Sequence, residues 1–370
     1  MKKIGILTFN RAHNYGASLQ CLALEKFIEK TDDTLTVKVI NYANKKIDYD
    51  YSLFRIDYTS FFTVIKSFIS SLVFLNKNIK RRKIYKKYIK ENLDCTSVCK
   101  NIKDVEKIVY DYDYIIAGSD QIWNPNLTGG IDDVYFLNFD TKAKKIAYAA
   151  SLGKNKMNDN IKKYKDLLSS FDIISVRELD GCNIVGKILN ENIKNVIDPT
   201  MLLEYSDWIK YINAKKIVDY DYIFTYTPNN LVEFNEIVNY TSNRLNLGII
   251  NFKKKNVGLE NVKKNMYCSD PNAFLNYLFY SNIVVTTSFH AVVFSIIYNK
   301  KFWVLSPKDN SSRVDSLLKK LGLENRSIHS LEELKSKDIL QEINFKEVEK
   351  KLKNLREDSQ RWLIDNLNLE

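Results

Sequence analysis

The apolar positions of the chain fall into short runs separated by polar clusters, and the runs alternate between strand and helix periods. "KKIGILTF" (2–9) is apolar without interruption from Ile4 to Leu7, the pattern of a buried parallel strand. "YGASLQCLALEKFIEK" (15–30) has the spacing of a helix, and "LTVKVINY" (35–42) predicts a second strand. Strand, loop, helix and strand in that order begin a doubly wound α/β sheet. Residues 51–108 predict mainly helix. "YDYIIAGSDQIW" (112–123) runs from a strand into a polar turn, and "KKIAYAASLG" (144–153) is a strand ending in small residues. "IKKYKDLLSSFDIISVRELDG" (161–181) predicts a helix, then a strand that ends at Arg177.

The pattern restarts after "NVIDPTMLL" (195–203), with "YDYIFTYT" (220–227), a helix around 230–243, "LGIINF" (247–252) and "FLNYLFYSNIVVTTSFH" (274–290). The expectation is two Rossmann-like, doubly wound α/β domains, 1–180 and 181–345, followed by a charged amphipathic helix, 346–370, packed across the fold. In open parallel sheets, ligands bind beyond the carboxyl ends of the strands. "NRAHNYGASLQ" (10–20), "GSDQIWNP" (118–125), "SVRE" (175–178) and "TTSFHA" (286–291) fall at such ends. Two domains facing one another would gather these clusters around an interdomain cleft.

A length of 370 residues suits two domains, and 45% hydrophobic with 27% charged residues suits a soluble globular protein. The five cysteines (Cys21, Cys95, Cys99, Cys182 and Cys268) are odd in number and scattered, which gives neither a disulfide framework nor a zinc spacing. The first apolar run is too short for the core of a signal peptide, so a cytoplasmic protein is expected. A net charge of +11 favours anionic partners. Interleaved Asp and Glu, and no recognisable binding module, argue against nucleic acid.

Part of the positive charge is local. "NKNIKRRKIYKKYIK" (76–90) carries eight Lys or Arg directly after the apolar "FFTVIKSFISSLVFL" (61–75). That apolar run is shorter than the roughly 20 residues needed to span a bilayer. Residues 61–90 either make peripheral contact with the anionic inner face of the cell membrane, or form an amphipathic helix packed on the domain with a solvated basic continuation.

His290 stands where a buried strand gives way to the helix "AVVFSIIYN" (291–299), in a chain with only 3 histidines. There it is either a cap or a general acid and anion partner. Arg177, beside Glu178, presents a planar fork that matches carboxylate or phosphate; the alternative is a salt bridge. "SPKDNSSRVDSLL" (306–318) supplies Lys308 and Arg313 as further cations, with Ser311 or Ser312 as a helix cap. Asn14 is placed to cap the first helix, and Gly16 to let backbone approach a ligand. Asp120 is either a base toward a sugar hydroxyl or a turn residue; Gln121 and Trp123 beside it would contact the sugar. His13 and His329 are read as loop residues. No HExxH or P-loop is present, and no metal site is expected.

Six of these motifs, "NYGASLQCLAL", "AGSDQIWNP", "YAASLG", "SVRE", "VIDPTMLL" and "TTSFHAVVFS", occur in the order seen in polysaccharide pyruvyl transferases, which the chain resembles from residue 4 to about residue 325. The resemblance implies a GT-B-like fold and transfer of a pyruvyl group from phosphoenolpyruvate to two hydroxyls of a sugar, as a ketal. It implies that phosphoenolpyruvate is a substrate and that no bound cofactor is needed. The family's histidine and arginine map onto His290 and Arg177. Ser288–Phe289 replaces the Arg-Leu that precedes the histidine in many relatives, and Ser288 becomes a substrate-contact candidate. The expected acceptor is a sugar of a bacterial surface polysaccharide precursor, lipid-linked if residues 61–90 meet the membrane. A GT-B glycosyltransferase using a nucleotide sugar and a catalytically silent glycan-binding protein remain the alternatives.

Overall fold

The computed structural model describes residues 2–153, 160–212, 214–228, 231–306 and 312–369. The chain divides into two units, Met1–Leu202 with Glu357–Glu370, and Leu203–Arg356. In the first, six parallel strands, β1 (Lys3–Leu7), β2 (Thr36–Val39), β3 (Tyr114–Ala117), β4 (Lys144–Ala150), β5 (Ile173–Val176) and β6 (Lys194–Asn195), lie in the order β2-β1-β3-β4-β5-β6. Every residue of β3 is buried, which is why its sequence is an unbroken apolar run. The chain leaves β1 toward β2 on one side and returns to β3 on the other, so the order reverses between β1 and β3. That reversal opens a crevice at their carboxyl ends.

The second unit repeats the plan with β7 (Tyr222–Tyr226), β8 (Gly248–Asn251), β9 (Val262–Asn265), β10 (Ile283–Thr286), β11 (Phe302–Leu305) and β12 (Ser327–Ile328). Their order is β12-β11-β10-β7-β8-β9, all parallel, and the reversal lies between β7 and β10. The helix Phe289–Ile297 after β10 is buried along its whole length, as its nearly all-apolar sequence requires.

The division falls at Leu202, beyond the boundary at 180 expected from the sequence. Two features hold residues 181–202 in the first unit. Lys194 and Asn195 pair with Ser175 and Val176, and the short 3₁₀ turn Pro199–Met201 is buried. In the C-terminal helix Phe345–Asn366, residues to Arg356 belong to the second unit and those from Glu357 to the first. There the Ser359 hydroxyl accepts from the Ile197 amide (3.1 Å) and Gln360 Nε2 donates to the Leu202 carbonyl (2.8 Å).

Residues 51–108 are mainly helical: Phe61–Val73, Leu75–Asn92 and all but the last residue of Ile102–Val109. Among the described residues no helix is long and apolar enough to cross a membrane. One of the eight basic residues of 76–90, Arg81, is internal. It lies over the rings of Tyr15 and Tyr85 (4.9 and 4.7 Å) and donates to the His13 carbonyl (2.8 Å).

Candidate functional site

Each sheet carries a polar cluster at its carboxyl edge. In the first unit, the Thr8 hydroxyl just past β1 donates to the Ser119 carbonyl just past β3 (2.9 Å). Gln20, from the helix Tyr15–Thr31, closes the crevice: its Nε2 donates to Thr8 Oγ1 (2.8 Å), and its Oε1 accepts from the Ser119 amide (3.2 Å). Gly118, at φ +125°, makes this turn possible, because a Cβ there would collide with the Tyr148 carbonyl oxygen of β4. Asn14 caps the helix by accepting from the Ala17 amide (3.2 Å), and Gly16 sits buried in its first turn.

Arg177, at the end of β5, is the hub of this edge. Its side chain is 3% exposed, and its guanidinium meets Asp198 (2.7 Å), Glu178 (2.9 Å) and Asp120 (3.8 Å). Burial opposes the charge, but Glu178, Asp198 and Asp120 outweigh it and hold the guanidinium pKa above its ordinary value. Asp198 is fully buried and also accepts from the Thr200 amide (3.0 Å) and hydroxyl (2.7 Å). The geometry thus realises the salt-bridge alternative for Arg177, with three carboxylates rather than one. Asp198 lies 21 residues further along the chain, in "VIDPTMLL", one of the six family motifs but not one that supplied a candidate site residue.

Asp120 follows β3 in a left-handed backbone conformation, φ 72°, and its Oδ1 accepts from the Gln121 amide (2.8 Å). Gln121 Oε1 accepts from Asn124 Nδ2 (2.9 Å). Trp123 is a correction: it does not offer a face to a sugar. It is 1% exposed, stacks on Phe136 at 5.3 Å, meets the edge of Phe171, and donates from Nε1 to the Tyr135 carbonyl (3.2 Å). A ring enclosed by two aromatics belongs to the core. His13 lies between the rings of Tyr51 and Tyr85 (5.2 and 5.1 Å); burial, with help from Arg81, lowers its pKa to about 4.

The edge of the second sheet is made of hydroxyls and amides. Thr227 Oγ1 and Thr287 Oγ1 meet at 2.7 Å across the ends of β7 and β10, and Thr286 Oγ1 donates to the Tyr226 carbonyl (2.5 Å). The Ser288 amide donates to Thr286 Oγ1 (3.0 Å), while its own hydroxyl caps the helix Phe289–Ile297 by accepting from the Ala291 amide (3.4 Å). His290 is therefore in the first helical turn, buried at 7% exposure, with its ring edge-on to Phe289 at 5.2 Å. No acidic side chain occupies that turn. The amides of the turn and the aligned peptide dipoles favour an anion there.

His329, which the sequence left in a polar loop, follows β12 on the same carboxyl edge. Its ring Nδ1 lies 2.7 Å from the Ser306 carbonyl just past β11. A carbonyl can only accept, so Nδ1 carries the proton and Nε2 is the acceptor nitrogen of the neutral ring. The signal in the sequence was the pair Ser327–Ile328 before it, with a single apolar residue, too short to read as a strand. Arg313 is half-buried in the first turn of the helix Ser312–Leu321, while Lys308 and Ser311 lie outside the described residues. Among the described residues no group of His, Cys, Asp and Glu is arranged to hold a metal ion.

Residues 14–310 match the family model for polysaccharide pyruvyl transferase. No protein of curated function matches the sequence. Among solved structures, the chain is similar to a UDP-GlcNAc 2-epimerase from Methanocaldococcus jannaschii in complex with UDP-GlcNAc and UDP, with 14% identity, a TM-score of 0.54 and all of both chains covered. It is also similar to the UDP-GlcNAc 2-epimerase from Neisseria meningitidis bound to UDP-GlcNAc (11% identity, TM-score 0.52, all of both chains covered). S. aureus MnaA with UDP shows 13% identity and a TM-score of 0.51 over 96% of this chain and 88% of that one. At these identities the likeness establishes the fold, an α/β architecture of GT-B type.

Proposed function

The chain belongs to the polysaccharide pyruvyl transferase family, and we propose that it moves the pyruvyl group of phosphoenolpyruvate onto two hydroxyls of a sugar in a bacterial surface-glycan precursor. In this reaction a proton adds to the methylene carbon of the enol phosphate, and positive charge develops on the adjacent carbon. One hydroxyl forms a bond to that carbon and loses its proton. The bond from that carbon to the phosphate oxygen breaks, inorganic phosphate leaves, and the second hydroxyl bonds to the same carbon and loses its proton to close the ketal.

The observation that carries the reading is the position of His290. It is a buried imidazole in the first turn of a helix with no acidic residue in that turn, at the strand reversal of the second sheet. A group there can donate a proton, or hold the leaving phosphate as imidazolium, and the helix amides reinforce either role. Ser288 sets the start of that helix. Arg177 receives a different role from the one its motif suggests. With Glu178, Asp198 and Asp120 around it, the cluster has one positive and three negative groups, so it repels a donor that carries carboxylate and phosphate. Arg177 is proposed as a positioning residue that orients the Asp120 side chain, with Asp120 as the base toward a sugar hydroxyl. Arg313 and Lys308 remain proposed cations toward the donor, and Gln121, Asn14 and Gly16 proposed acceptor contacts.

The test is release of inorganic phosphate from phosphoenolpyruvate with a panel of glycan acceptors, paired with titration of UDP-sugars. Acceptor-dependent phosphate release supports the reading. Consumption of a nucleotide sugar without phosphoenolpyruvate turnover replaces it with a glycosyltransferase.

A further inference from the structure

We propose that the helix Phe61–Val73 docks the protein on an anionic lipid surface, with the basic helix Leu75–Asn92 meeting the lipid phosphates. The proposal does not rest on the enzymatic reading. A surface helix ordinarily turns its apolar stripe toward the protein; this one is reversed. Phe61, Phe62 and Val73 are 74%, 81% and 70% exposed, and Ile65, Phe68, Ile69 and Leu72 are exposed with them. At about 100° per residue, these side chains occupy one arc about 140° wide. Ser71, the buried residue of the helix, lies with Thr63 and Ser67 on the other side.

The polar side is the one that is tied down. Ser67 Oγ accepts from the Asp57 amide (3.0 Å), Ser71 Oγ donates to the Ser67 carbonyl (2.8 Å), and Ser60 and Thr63 form a reciprocal capping box. The Asp57 amide ties this side to the preceding loop, the Ser71 and capping-box bonds are internal to the helix, and the aromatic and aliphatic face stands in water. The patch extends into the preceding loop, where exposed Phe54 stacks on Phe68 at 6.1 Å.

A helix of 13 residues is about 20 Å long, short of the roughly 30 Å hydrocarbon core, so it lies in the interface rather than across it. Charge selects the occupant. Of the eight Lys and Arg in 76–90, seven are exposed. A second copy on the patch would bring two such helices toward one another, whereas phospholipid supplies hydrocarbon and negative charge together.

The experiment is sedimentation of the full chain with vesicles of phosphatidylglycerol and phosphatidylethanolamine, against vesicles of phosphatidylcholine alone. Expected is binding to the anionic vesicles that falls at least tenfold on phosphatidylcholine or in high salt. The triple variant Phe61→Ser, Phe62→Ser, Val73→Ser, all at exposed positions, is expected to lose at least tenfold in vesicle binding with an unchanged melting temperature. No binding by the native chain overturns the proposal, as does equal binding by the variant. A native dimer that the variant abolishes, without any vesicle binding, assigns the patch to a second copy instead.

Discussion

The carboxyl edges of the two sheets are built on the same topology and filled with opposite chemistry. At the first, one buried arginine is enclosed by three carboxylates. At the second, threonine and serine hydroxyls, helix amides and an imidazole occupy the equivalent place, with no acid in the helical turn. The same strand reversal makes the same kind of crevice twice. What differs is that the first edge carries its own charges, three carboxylates around one guanidinium, whereas the second leaves charge to be supplied by a ligand. The first edge suits neutral hydroxyls, which need a base and hydrogen-bond partners. The second suits an anion.

The largest effect expected from breaking this contrast comes at His290. His290→Gln keeps a polar side chain in the first helical turn but cannot donate a proton as imidazolium. Phosphate release from phosphoenolpyruvate should fall about 100- to 10,000-fold, the usual worth of general acid–base help, while the melting temperature changes little. Retained turnover would remove His290 from the chemistry and leave it as part of the helix start.

Arg177→Met tests the other edge by a different readout. Removing the cation leaves Glu178, Asp198 and Asp120 buried without their partner, and such a loss costs about 3–5 kcal/mol of stability. Urea denaturation followed by fluorescence should show the loss, and Asp198→Asn in the same chain should restore part of it. If Arg177→Met stays as stable as the native protein but binds phosphoenolpyruvate far more weakly, the donor-binding role returns.

A third variant measures what burial does to a carboxylate in the same unit without an arginine at hand. Glu25, in the helix Tyr15–Thr31, has its pKa raised to about 7, by burial first and against the pull of Lys26. The folded protein therefore holds this proton more tightly than the unfolded chain. The resulting stability is fully present below about pH 4.5 and is lost as the pH rises through about 7. Glu25→Gln keeps an acceptor for the Asp94 amide, now 2.8 Å away, and should be more stable than the native chain at pH 8 by about 3 kcal/mol. The advantage should vanish at pH 4. A constant difference across that range would show that Glu25 does not titrate with folding.

The parts of this contrast that were legible in the sequence were the strands and their ends. β3, β7 and β10 are buried at every residue, so their sequences are apolar or β-branched runs whose ends are followed by polar residues. Asp120 and His290 could be placed past the ends of β3 and β10 for that reason, and Asn14 and Arg177 past β1 and β5, which are buried at all but their first residues. β6 and β12 have two residues each, too few for any period. Trp123 was misjudged because its polar neighbours in "GSDQIW" suggest exposure; its enclosure is decided by Phe171, 48 positions away in the chain. The pairing of Asp198 with Arg177 is likewise a tertiary fact. For residues 61–73 the periodicity shows an amphipathic helix but not which side faces the protein, and there the structure reverses the usual choice.

The smallest effect expected is also the sharpest comparison between the edges, because both helices begin on a capping side chain. Asn14 accepts from the Ala17 amide at 3.2 Å, and Ser288 from the Ala291 amide at 3.4 Å. Replacing either by Ala should cost about 1 kcal/mol of stability, the usual worth of a cap, with the longer Ser288 bond giving the smaller loss. Their effects on the donor should differ. Ser288→Ala alters the helix start beside His290, so it should raise the KM for phosphoenolpyruvate several-fold. Asn14→Ala leaves that KM alone and acts, if at all, on the glycan acceptor. Steady-state kinetics with each substrate varied in turn separates the two. Should Asn14→Ala raise the donor KM and Ser288→Ala leave it unchanged, the assignment of the anion to the second sheet is reversed.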